Sequence, residues 1–166
     1  MNLSWLKDFH LGICGLVLLC AGSVSASVEV SHAWLRAPIP GQNMTAAYFQ
    51  LYNTGTKIRK LQAVEANFSE RAEMHTQRYM DGVLQMRPLP FVEVAPQQRI
   101  NFESGGHHIM LFDLDMAVVA HGVAASSTKK ALTLVLIFAD GQRLPVVLSL
   151  RSLHDVTPRQ SIHNHH

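Results

Sequence analysis

From Val28 onward the sequence returns again and again to one device, a short apolar or alternating run closed by a turn signal, at roughly 8–12 residue spacing. That rhythm admits short extended segments and little helix, and it is the pattern of an all-β sandwich or barrel. Thr45 to Asn53 shows it best, with Ala47, Phe49 and Leu51 on one face and Tyr48, Gln50 and Tyr52 on the other. The sequence predicts strands at 28–35, 45–53, 60–66, 72–78, 83–87, 91–94, 99–103, 107–114, 131–139 and 143–150. Pro40-Gly41, Asn53-Thr54-Gly55, Asp81-Gly82, Ser104-Gly105-Gly106 and Asp140-Gly141 separate several of them. The run from Ala131 to Ala139 is almost continuously apolar, as expected of a strand buried on both faces. Ala117 to Lys130, rich in Ala, Ser and Gly, reads as a long loop.

The first 26 residues read as a leader outside the fold. A polar start with Lys7 precedes the apolar run Leu11 to Ala21, and Val24-Ser25-Ala26 supplies small residues for cleavage after Ala26. The apolar run falls short of the about 20 residues a membrane span needs. Cys20 follows Leu18-Leu19 and raises a lipoprotein reading, but Leu19 is large for the position before a lipidated cysteine. The expectation is a periplasmic protein with residues 1–26 removed, a single β domain over 27–150, and a polar, mobile tail over 151–166. With 48% hydrophobic and 16% charged residues and a formal net charge of +2, the chain is neither disordered nor a dedicated nucleic-acid binder.

That leader takes the chemistry of the cysteines with it. Cys14 and Cys20 are the only two, so residues 27–166 hold no disulfide, thiol nucleophile or thiolate ligand. A metal site here must use His, Met, carboxylate or backbone, and a blue-copper centre is excluded because it needs a Cys thiolate. Four residues then stand out: His75, Met86, His108 and Met110. Two imidazoles and two thioethers suit Cu(I) better than zinc, calcium or magnesium. Strand alternation sends His108 and Met110 to one face, and Ile109 and Leu111 to the other, better suited to the core. If the strands of His75 and Met86 flank the 107–114 strand at one end of the sandwich, the four groups converge. Taken on spacing, packing and ligation are both open to them, because a methionine is ordinary core filler.

His107 alternates to the opposite face and reads as structural, Met74, Met80 and Met116 as packing or surface residues. Met44 and His32 are expected on strands away from the site. His154, His163, His165 and His166 make the tail a candidate for Cu(II) or another divalent ion, or simply a solvated tail. Nothing points to an enzyme: there is no Ser-His-Asp set, H-E-x-x-H motif or carboxylate pair beside the histidines.

The pattern His75, ten residues, Met86, twenty-one residues, His108-x-Met110 resembles the signature of the periplasmic copper chaperones called PCuAC. The flanks agree: A-W-L-R-A-P-I-P-G-Q-N-M-T-A-A-Y-F-Q-L-Y-N-T-G (33–55), D-G-V-L-Q-M-R-P-L (81–89), G-G-H-H-I-M-L (105–111) and L-I-F-A-D-G (136–141) resemble that family's strands. The resemblance implies a cupredoxin-like antiparallel β-sandwich of Greek-key type, holding one Cu(I) through His75, Met86, His108 and Met110. It further implies delivery of copper to the CuA centre in subunit II of cytochrome c oxidase, alongside Sco-type proteins, by a monomer with no stable membrane insertion. Such a four-ligand site leaves no open position for a substrate. Two features depart from the family: Thr76 stands where a Met often follows the first His, and the stretch from Ala117 to Lys130 is longer and less charged than the family leads one to expect. Copper storage or scavenging, and a β-sandwich interaction module without metal, are the alternatives.

Overall fold

The structure, a computed structural model, describes residues 27–80, 82–124 and 131–152. The leader with Cys14 and Cys20, and the tail with His154, His163, His165 and His166, lie outside the described residues. In chain order the strands are β1 (Val28–Arg36), β2 (Thr45–Asn53), β3 (Arg59–Ala66), β4 (Ser69–Met80), β5 (Val83–Pro88), β6 (Val92–Val94), β7 (Arg99–Phe102) and β8 (His107–Leu114). A helix, α1 (Met116–Ala124), follows, and β9 (Thr133–Phe138), β10 (Arg143–Val147) and β11 (Ser149–Arg151) close the domain.

All these strands join one sheet, in the order β10-β9-β3-β4-β8-β7-β2-β1-β11, with β5 added to β4, β6 to β3, and a second pairing of β8 with β2. The sheet curls until β10 meets β1, where Val30 and His32 share a groove with Leu144 and Val146. Inside the curl, alternate residues of each strand form the core: Phe49 and Leu51 from β2, Met74 from β4, Ile109 and Leu111 from β8, and Leu134, Leu136 and Phe138 from β9. Phe49 stacks on Phe102 with ring centroids 4.3 Å apart.

Four expectations need correction. The sheet is mixed rather than antiparallel, since β1 runs parallel to β11 and β7 parallel to β8. The segment 143–150 is two strands: β10 pairs with β9, then Leu148 donates its N–H to the Leu132 carbonyl and β11 crosses to β1. β9 is not buried on both faces, for Leu134, Leu136 and Phe138 are fully buried while Thr133, Val135 and Ile137 are half-buried. Finally, the start of the expected long loop is α1, capped by Asp115, whose carboxylate accepts the N–H groups of Ala117 (3.0 Å) and Val118 (3.1 Å). Residues 125–130 lie outside the described ones.

Candidate metal centre

The antiparallel pairing of β4 with β8 sorts side chains by face. Met74 opposes Ile109 on the core side, and His75 opposes His108 on the outer side, two residues from Met110, which opposes Glu73. β5 lies along the far side of β4, where Met86 opposes Gln77. The register therefore sets His75, Met86, His108 and Met110 on one face of three neighbouring strands, with His75 on the central one. The Met86 strand does not flank β8 as expected; β4 lies between them.

Over this face sits a cavity of about 230 Å³. Met86, His108 and Met110 line it, together with Arg36 at the end of β1, Ile39, Gln42 and Met44 from the β1–β2 connection and Ser104 and Gly105 from the turn before β8. His75 is not among these lining residues; its ring centroid is 6.0 Å from that of His108. Exposure grades across the group: His108 is 4% exposed and Met86 44%.

Hydrogen bonds fix the form of both imidazoles. A carbonyl only accepts, so His108 Nδ1 donates to the Gly106 carbonyl at 3.0 Å, leaving Nε2 with its lone pair. His75 Nε2 donates to the Glu73 carboxylate at 2.8 Å, which in the neutral ring leaves Nδ1 with its own. Among the described residues neither His75 Nδ1 nor His108 Nε2 finds a hydrogen-bond partner, although both are buried; His107 Nδ1, Arg36 Nε and Arg59 Nε are in the same position. An unsatisfied buried polar atom costs about 1–3 kcal/mol. One imidazole nitrogen anchored by a carboxylate or carbonyl and the other free is the arrangement of a metal-binding histidine.

Burial lowers the pKa of His108, opposed by the bond to Gly106, and the neighbouring His75, Arg36 and His107 lower it further. The bonds from His75 and Arg71 hold Glu73 below the ordinary carboxylate range. His107, on the other face and 5.9 Å from the Phe102 ring, is also lowered, first by burial and then by Arg78. Among the described residues no carboxylate lines the cavity, and Arg36 is its one formal cation.

Met74 is core, while Met80 and Met116 are exposed and His32 lies in grooves remote from the cavity. Met44 corrects the expectation that it lies away from the site, because the β1–β2 connection folds it over the cavity. Glu73 and the Gly106 carbonyl were missed by sequence reasoning. Glu73 sits at i−2 from His75 on the same strand face, which strand alternation could have flagged. The Gly106 contact depends on the turn geometry and has no sequence signal.

The sequence model of a family described as LpqE-like lipoproteins matches residues 28–150. No curated protein matches the chain. Among solved structures, a copper-bound PCuAC domain from PmoF2 superposes with a TM-score of 0.57 at 17% identity, covering 76% of this chain and 93% of that one. An apo PCuAC domain from PmoF1 gives 0.56 at 22% identity, covering 76% and 94%. The Cu(I) form of DR1885 from Deinococcus radiodurans gives 0.56 at 21% identity, covering 79% and 83%. At these identities the likeness is one of fold.

Proposed function

The chain belongs to the LpqE-like family, and from that premise we propose that it is an exported Cu(I)-carrying protein that binds one ion through His75, Met86, His108 and Met110. The observation that carries the reading is the pair of buried, unpartnered imidazole nitrogens on the strand face that also carries two thioethers. His107 Nδ1, on the opposite face, is buried and unpartnered too, so it is the shared strand face with two thioethers that marks out His75 and His108. Soft neutral ligands favour Cu(I), and the Arg36 guanidinium with no lining carboxylate disfavours a divalent ion. The likeness in fold to domains described as copper-bound supports the same assignment.

The protein's own residues divide the work of a carrier. Glu73 and the Gly106 carbonyl each anchor one nitrogen of the two rings and so limit the reorientation that binding requires. Exposed Met86 leaves the ion open to a partner's ligands, so transfer proceeds by stepwise ligand exchange without a thiolate to break. Delivery to the CuA centre of cytochrome c oxidase with Sco-type proteins, and a role without catalysis, belong to this reading through the resemblance in sequence. So does export to the periplasm. The lipoprotein in the family's description favours an anchor at Cys20 over cleavage after Ala26; mass spectrometry of the exported N-terminus separates a lipidated Cys20 from a free Ser27.

Competition with a chromogenic Cu(I) chelator under reducing conditions tests the site. Met86→Ala and His75→Ala should each bind Cu(I) at least about tenfold more weakly than the wild type. Equal binding by all three would overturn the assignment. Copper at 100 times its dissociation constant should also stabilise the fold by about 2.7 kcal/mol, whereas a metal-free interaction module predicts no change.

A further inference from the structure

Met44 has no place in the packing. It is 41% exposed, lies outside the core, and lines the cavity on the wall opposite β5. Its backbone is nevertheless held on both sides. The Asn43 carbonyl accepts the Leu114 N–H at 3.1 Å, and the Asn43 amide donates to Asp113 at 3.2 Å. The Thr45 hydroxyl donates to the Arg36 carbonyl at 2.7 Å. Residues 43 and 45 are thus tied down while the flexible thioether between them stays free to move over the cavity. With Met44 and Met86 both near half exposed and His108 nearly fully buried, the cavity grades from thioethers at its mouth to imidazole at its floor.

We infer that Met44 is a third thioether ligand of this cavity, engaging Cu(I) at the mouth as the ion enters and leaves. The inference rests on the copper reading above. Each step exchanges one ligand for another. On entry a bond from copper to the Met44 sulfur forms as a bond to the donor's ligand breaks, and on exit the bond to Met44 breaks as a bond to the acceptor's ligand forms. The ion stays Cu(I), and neither the thioether nor the neutral imidazoles give up a proton. Ile39, 46% exposed on the same wall, offers the plainer account of an apolar rim, and Met44→Leu separates the two because it keeps the apolar surface and removes the sulfur.

The test uses the full chain with its methionine methyls labelled with carbon-13, titrated with Cu(I) under reducing conditions and followed by NMR. Stopped-flow transfer of Cu(I) to excess chelator is measured alongside, with Met116→Leu as the exposed control outside the cavity. The Met44 methyl should shift with those of Met86 and Met110 while that of Met116 stays. Met44→Leu should slow release about tenfold, the low end of what outer partners of a metal site contribute. An unshifted Met44 methyl, or a Met44→Leu release rate equal to that of the control, overturns the inference and leaves the copper site standing if the Met86 and Met110 methyls have moved. If no methyl moves and no copper is taken up, both readings fall together.

Discussion

Met74 and Met86 are the same residue put to opposite uses a strand apart. Met74 is 5% exposed and packs in the core with Ile109 opposite; Met86 is 44% exposed and lines the outer cavity. The two faces of the β4–β8 pair repeat the contrast along their length. Inward, Met74, Ile109 and Leu111 remove apolar surface from water and hold the sheet closed. Outward, His75, His108 and Met110 gather polar and soft atoms, two of them without a partner. One pleated surface thus provides stability on one side and the proposed binding site on the other, at some cost in stability on the second.

The contrast breaks most visibly at Leu111. Truncating this fully buried side chain to alanine should destabilise the fold by about 2–5 kcal/mol, read as a lowered melting temperature. The same loss from a His108 substitution on the outer face would show that the two faces are not separate in function. Next in size, Glu73→Gln keeps the shape but removes the charge that anchors His75. Cu(I) affinity should fall about 10-fold with little change in melting temperature, and an unchanged affinity would detach Glu73 from the site.

The smallest effect concerns acid. Burial holds the pKa of His108 in the fold below its ordinary 6.5. Between those two values the unfolded chain binds the extra proton, so stability falls as pH falls below about 6.5 and is intact above it. Copper affinity should weaken in the same window, since imidazolium cannot ligate. Melting curves and chelator competition at pH 7 and pH 5 check both, and an affinity that does not change over that range counts against the histidines as ligands.

Much of this architecture was legible because a strand's period of two is written directly into the sequence. The bounds of β2 and β8, and the separation of His108 and Met110 from Ile109 and Leu111, follow from alternation. α1 was missed for a physical reason: Ala117-Val118-Val119 holds two β-branched residues and Gly122 interrupts the run, so intrinsic propensity is low. The Asp115 cap was the signal available. The break between β10 and β11 had no local mark, since the chain stays extended while it changes partner.

The sequence by itself determined the strand periods, the set of soft candidate ligands and, through the placement of Cys14 and Cys20, the lack of thiolate after residue 26. Only the tertiary structure decided which strands are neighbours. It put β4 between β5 and β8, turned the Gly106 carbonyl onto His108, and brought Met44 from a distant connection over the same cavity. The physical reason is range. Alternation is a property of neighbouring residues and can be read along the chain, whereas strand order depends on how the whole sheet curls to bury its apolar face.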